Sequence, residues 1–184
     1  MKFIMMVGIA GSGKSTLAAK IAERIGDNAK VFSSDDIREE WFGDRRVQGN
    51  PRLIFAELHK RMSRHLMNGN TVIMDATNLS GARRMSTVRD MRRIAPEATF
   101  IVIEVSTATD LCISRRAEDG LVPSSVIRRQ AHQHDPIDGA EGWDLMVSID
   151  TTRYINQIEN EVEDALRAIK DYDEANFDCA PSVS

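Results

Sequence analysis

Gly8 to Ser15 read Gly-Ile-Ala-Gly-Ser-Gly-Lys-Ser, a complete G-x-x-x-x-G-K-S run set between the apolar stretch Phe3 to Val7 and a helical pattern. This run constrains the fold more than any other, because it works only where a strand stops, a glycine loop turns and a helix begins in immediate succession. Gly8, Gly11 and Gly13 permit positive φ and close backbone approach, so loop N–H groups can point at a β-phosphate while Lys14 reaches the β and γ oxygens. Ser15 then offers its hydroxyl to Mg²⁺. Gly8, Ala10, Gly11, Ser12, Gly13, Lys14, Ser15 and Thr16 are therefore the candidate nucleotide-binding residues. A glycine turn that binds nothing is the alternative, and the order of strand, loop and helix weighs against it.

At 184 residues the chain fits one α/β domain with a sizeable core and leaves no room for a second catalytic domain of ordinary size. The domain is expected to span residues 1–172, with 173–184 a disordered polar tail. Two cysteines, Cys112 and Cys179, are too few for a disulfide framework and point to a reducing cytoplasm. Met1-Lys2 and the apolar residues after them only faintly imitate a signal peptide, since cleavage would destroy the glycine loop. No segment is long enough to span a bilayer, so no membrane partner is expected. The net charge of −4 conceals an asymmetry: residues 1–134 carry 21 Lys and Arg against 15 Asp and Glu, while residues 135–184 carry 3 against 13. Eighteen of the 24 cations are Arg, which grips phosphate bidentately where Lys acts as a point charge. This balance fits a polyanionic substrate at the first part of the chain. A solvated acidic helix and an arginine-rich composition account for it equally well, so charge supports the argument without deciding it.

Apolar runs rich in β-branched residues and Met recur at 3–7, 30–33, 71–75, 99–105 and 145–149, with longer helical patterns between them. The alternation predicts a parallel five-stranded sheet with helices on both faces, a three-layer α/β/α sandwich whose ligand crevice lies at the carboxyl ends of the strands. Pro51 opens a helix with Leu53, Phe55, Leu58, Met62 and Leu66 at helical spacing, and Gly69 is placed to close it in the left-handed conformation. Thr107 with Asp110 reads as a capping box. Ile155, Ile158, Val162, Leu166 and Ile169 make the apolar stripe of a final helix packed on the core.

The second strand runs into Ser33-Ser34-Asp35-Asp36-Ile37-Arg38. If it lies near the first strand, a carboxylate and a guanidinium stand beside a γ-phosphate. Phosphoryl transfer needs an in-line acceptor oxygen, a carboxylate to orient it and take its proton, and cations on the developing charge. Asp35 and Arg38 supply those types one helical turn apart. The competing reading, in which Asp35 or Asp36 merely caps the next helix, is weaker beside a phosphate loop. The third strand delivers Asp75-Ala76-Thr77-Asn78, where Asp75 can hold Mg²⁺ through water alongside Ser15. Asn78 either meets substrate or shapes the turn before the next helix.

Gly8 to Thr16, Ser33 to Arg38, and Val72 to Leu79 with Arg83-Arg84 together resemble the kinase domain of 5′-hydroxyl polynucleotide kinases of the phage and bacterial RNA-repair type. The resemblance extends more weakly over about residues 3–150. It implies a P-loop NTPase fold with an adenylate-kinase-like sheet and a short lid at about 115–124. It also implies ATP as donor, with other nucleoside triphosphates open, Mg²⁺ as cofactor, and the 5′-OH ends of RNA or DNA as partners. On this resemblance Asp35 is the general base and Arg38 holds the phosphate beside the acceptor nucleoside. Asp75, Asn78 and Arg83 join them on the substrate side, and Lys14 serves the donor. Arg115 matches the first lid arginine, over ATP. The second lid arginine has no counterpart, since Glu118 and Asp119 stand near its place, and Arg116 is the candidate replacement.

Two other function classes stay open on the sequence: a small-molecule kinase acting on a nucleoside, sugar acid, antibiotic or nucleotide-sugar, and a nucleotide-binding adaptor without turnover. His59, His65, His132 and His134 lack metal-ligand spacing. Trp41 on the acceptor helix either stacks a base or packs the helix onto the sheet. Asp171 and Asp173 follow no strand, so no phosphatase activity is expected.

Overall fold

Runs such as Phe3 to Val7 and Val72 to Met74 are apolar on both alternating sides, which suits strands buried between two helical layers. A computed structural model describes residues 1–117, 120–152 and 158–177. The runs form β1 (Lys2–Val7), β2 (Ala29–Ser33), β3 (Thr71–Asp75), β4 (Thr99–Ser106) and β5 (Leu145–Asp150). All neighbours pair in parallel, in the order β2-β3-β1-β4-β5. This is the five-stranded parallel sheet that the alternation predicts.

The connecting helices are α1 (Lys14–Ile25), α2 (Ser34–Phe42), α3 (Pro51–Met67), α4 (Gly81–Ile94), α5 (Thr109–Ala117), α6 (Ser124–His132) and α7 (Ile158–Phe177), with a 3₁₀ turn at Gly139–Glu141. Alternation along β1 divides the core. Phe3, Met5 and Val7 face Ile54, Leu58 and Met62 of α3 and Val88 and Met91 of α4. Ile4 and Met6 face Leu17 and Ile21 of α1 and Val162, Ala165 and Ile169 of α7. A third, smaller cluster joins Ile9 and Ala10 of the glycine loop to Leu79, Cys112 of α5 and Ile127 of α6. Among the described residues, no helix is long and apolar enough to cross a membrane.

Local signals hold at α3. Asn50 accepts from the Arg52 N–H, Pro51 occupies the first turn, and Gly69 adopts φ +79° just beyond the end. Three expectations need correction. Thr107 does not cap α5, because its hydroxyl is spent on the Ser12 carbonyl and on Thr151. Helix α7 runs past Asp173 to Phe177, held in part by an ion pair from Asp173 to Lys2 at 2.8 Å; the remainder of the expected tail and Ile155 lie outside the described residues. Arg115 and Arg116, expected in the lid, belong to the last turn of α5, and Glu118 and Asp119 lie outside the described residues.

Candidate active site

The glycine loop is shaped by packing as much as by φ. Gly8, Gly11 and Gly13 have φ of 152°, 85° and 94°. A Cβ on Gly8 would stand 2.5 Å from the Val105 carbonyl oxygen, and one on Gly11 would stand 2.6 Å from that of Cys112. Side chains at these positions would push the loop off β4 and α5. From below, Thr151 at the end of β5 and Thr107 donate hydroxyls to the Ser12 carbonyl at 2.7 and 3.1 Å. From the side, the Ala10 N–H donates to Gln130 Oε1 of α6 at 2.8 Å. Ser15 and Thr16 lie exposed in the first turn of α1.

Lys14 folds back on the loop, donating to the Ile9 carbonyl at 2.8 Å and to Ser12 Oγ at 3.4 Å. Burial pushes its ammonium down from 10.5 to about 8, opposed by Asp75 and Asp35 and helped by Arg116. The folded free protein therefore binds fewer protons here than the unfolded chain between about pH 8 and 10.5, so Lys14 disfavours folding less as pH rises through that window. A polyphosphate needs the charged form. ADP affinity, measured by titration calorimetry, is expected to be flat below pH 8, to fall above it by up to about tenfold per unit, and to be accompanied by proton uptake. Lys14→Arg, whose charge does not titrate there, should flatten the curve; an unchanged slope would remove Lys14 as its source.

On the acceptor side, Ser33 caps α2 by accepting from the Asp35 N–H at 3.1 Å. The Asp35 carboxylate is thereby released from capping, which disposes of the competing reading. It accepts instead from Arg38 Nη1 at 2.7 Å. Asp35 is 58% exposed while the Arg38 side chain is 9% exposed, with Nη1 also on Ser34 Oγ at 3.0 Å and Nε buried without a hydrogen-bond partner. A buried guanidinium with a donor to spare is a fixed anion-binding group.

Strand order places a third element between these parts. β2 is not next to β1; β3 intervenes, and register sets Asp75 opposite both Met6 and Ser33. Asp75 thus stands between the phosphate loop and the Asp35–Arg38 pair. Burial pushes its carboxyl up, against the Ser15 hydrogen bond and Lys14, while Asp35 and Asp36 push the same way as burial. Such a carboxylate gains from a cation. Among the described residues no cluster of three or more His, Cys, Asp or Glu could hold a metal. Mg²⁺ takes one or two protein oxygens and completes its shell from water and phosphate. Ser15 and Asp75 fit that role.

Asn78 takes the turn-shaping one of its two readings. Asn78, at φ +49°, donates its amide to the Met6 carbonyl at 2.8 Å, and the Gly8 N–H donates to the Thr77 carbonyl. These bonds stitch the β3–α4 loop to the phosphate loop, so Asn78 shapes the site from behind. Arg83 is exposed on α4, next to a buried arginine. The Arg84 side chain is fully buried and pairs with Glu141 at 2.6 and 2.8 Å. Its remaining N–H groups go to the carbonyls of Asn78, Leu79, Asp135 and Pro136. Trp143 Nε1 completes the Glu141 shell.

Arg115 does not reach over the loop as a lid residue would. Its Nη1 and Nη2 donate to the Gly11 carbonyl at 3.3 Å and the Thr151 carbonyl at 3.0 Å, so it holds the loop against β5. Arg116 lies close enough to Lys14 to depress its pKa. Trp41 is 42% exposed and its ring meets the edge of Phe42. Sequence reasoning missed Gln130, Thr151 and Arg84. Thr151 directly follows a strand, a position where ligand-proximal groups gather; Gln130 carries no local signal.

A family model described as AAA domain matches residues 3–137. This chain belongs to the AAA domain family. Solved structures place this AAA domain among P-loop kinase folds. A protein of Chloroflexus aurantiacus described as a candidate kinase superposes with a TM-score of 0.72 at 17% identity, covering 92% of this chain and 96% of that one. A gluconokinase from Sinorhizobium meliloti does so at 0.63 and 19%, covering 97% and 98%. A chain of the Pnkp1/Rnl/Hen1 RNA repair complex matches at 0.59 and 26%, covering 72% of this chain and 43% of that chain. A search of curated proteins returns no match. The first two likenesses speak to the fold alone.

Proposed function

We propose that this AAA domain is an ATP- and Mg²⁺-dependent kinase that phosphorylates the 5′-hydroxyl end of RNA or DNA. The observation that carries the reading is the Asp35–Arg38 pair: an exposed carboxylate released from capping, beside a buried guanidinium, at the edge where Lys14 and Asp75 feel its charge. In the proposed reaction the 5′-oxygen attacks the γ-phosphorus in line. The new O–P bond forms as the bond to the β–γ bridging oxygen breaks, ADP leaves with that electron pair, and Asp35 takes the hydroxyl proton. Mg²⁺ held by Ser15 and Asp75 would neutralise charge on the β and γ oxygens. Arg38 fixes the phosphate next to the acceptor nucleoside, and Arg116, whose charge Lys14 feels, is the cation for the donor side. The 26% likeness to a chain of the RNA repair complex supports a polynucleotide acceptor.

One observation favours a second reading, a small-molecule kinase. The gluconokinase matches almost end to end, whereas this chain spans under half of the RNA repair chain. Incubation with γ-labelled ATP and Mg²⁺ separates the two. Label is expected to reach 5′-OH oligonucleotides and not their 5′-phosphorylated counterparts. Label that reaches a sugar acid or free nucleoside instead moves the chain to the second reading, and transfer to neither sinks both.

A further inference from the structure

Helices α3 and α4 lie side by side over one face of the sheet, with His59 beside Thr87 and Ser63 beside Met91. Together they carry nine Lys and Arg against two Asp and Glu. Helix α7, on the opposite face, carries two against seven, and its Glu159 and Glu163 already pair with Lys20 and Arg24 of α1. The asymmetry along the sequence has become a difference between two faces of one molecule.

On the α3–α4 face, three arginines are committed: Arg84 inside, Arg61 to Glu40 and Glu57, and Arg92 to Asp144 and the Phe100 ring. The rest point outward. Arg52 and Arg64 are exposed with no ion pair among the described residues. Arg89 and Arg93, 64% and 73% exposed, reach Asp90 only at 3.9 Å. Lys60 meets Glu57 at 3.5 Å. Exposed Leu53, Met67 and Met85 lie among them.

The direction of these helices matters. α3 ends just before β3 begins, and α4 starts just after β3 ends. Both helices therefore begin at the carboxyl edge of the sheet, beside Asp75, and run away from it. Arg64 and Arg93 stand in the far half, about 15–18 Å from the first turns at 1.5 Å per residue. That length matches about five phosphates of a strand at helical spacing.

We propose that the outer face of α3 and α4 is a track for the sugar–phosphate backbone of a single-stranded nucleic acid whose 5′ end occupies the acceptor site. The proposal rests on the polynucleotide reading above. Arginine predominates because it binds phosphate oxygens bidentately, and the scattered apolar side chains suit unpaired bases better than a lipid surface, which would demand one continuous apolar stripe.

The test combines Arg64→Glu, Arg89→Glu and Arg93→Glu, all exposed and outside the reaction site. Binding of a 3′-fluorescein, 5′-OH RNA of about 20 nucleotides is followed by anisotropy from about 50 to 200 mM KCl. The triple variant is expected to bind about tenfold more weakly at the lower salt and to lose about two from the slope of log K against log salt, the share of three phosphate contacts on a single strand. Phosphorylation of a 5′-OH dinucleotide, too short to reach the track, should be unchanged, and the triple Arg→Lys variant should keep most of the binding. Equal binding by wild type and the Glu variant overturns the track, even if both phosphorylate the dinucleotide. Retention of wild type on phosphatidylserine vesicles without RNA binding overturns it as well. Failure of wild type to phosphorylate either the dinucleotide or the 20-nucleotide RNA, with RNA binding still lost in the variant, overturns the kinase reading and supports the track.

Discussion

Asp35→Asn is expected to lower single-turnover phosphoryl transfer by about 10²- to 10⁴-fold, the usual contribution of a positioned general base, while ADP affinity and thermal stability stay at wild-type levels. The substitution keeps shape and an oxygen for Arg38 but removes the ability to take a proton. The fold should not notice, because Ser33 performs the capping of α2 and Asp35 is more than half exposed. A loss confined to acceptor KM would reassign Asp35 from base to binding group. A loss below about tenfold in the chemical step would sink the assignment.

Arg84→Met is expected to destabilise the protein by about 3–5 kcal/mol, the range for breaking a buried pair and stranding its partner. Neither Arg84 nor Glu141 is exposed enough for water to screen the loss. At about 2–4 °C per kcal/mol for a chain of this length, the melting temperature should fall by roughly 6–20 °C. Adding Glu141→Leu should recover part of the loss, since the stranded charge disappears while the four orphaned carbonyls remain. The acid side offers a second readout. Burial pushes the Glu141 carboxyl up, but the bonds from Arg84 and Trp143 outweigh it and hold it below its ordinary value. Stability from the pair is thus present above that ordinary value and lost as pH falls through the folded one. Arg84→Met should flatten this limb. A variant melting within about 2 °C of wild type would show that the pair does not hold the β3–α4 loop in place.

In the proposed reaction Asp35 acts at the reacting oxygen. Arg84 acts through Asn78, whose carbonyl it holds while the Asn78 side chain holds Met6, so it positions the phosphate loop from behind the sheet.

Much that depends on neighbours along the chain could be read from the sequence: the strand, glycine loop and helix around Lys14, Pro51 and Gly69 at the ends of α3, the five strands, and the placing of Asp35 and Arg38 one turn apart. Such features follow from steric and hydrogen-bond rules acting over a few residues. Even the choice between Arg83 and Arg84 had a local trace, because Arg84, Val88, Met91 and Ala95 share one helical stripe and are buried together. That an arginine belongs in an apolar stripe was not legible, since its partner Glu141 is 57 residues away. Tertiary structure alone decided that β3 would lie between β1 and β2, bringing Asp75 to the centre, that Gln130 would cap Ala10 across 120 residues, and that Thr151 would hold Ser12 across 139. It also set Arg115 against the Gly11 and Thr151 carbonyls. These are contacts between chain segments whose proximity is set by sheet order and layer packing, and no local preference encodes where a distant hydrogen-bond partner will come to rest.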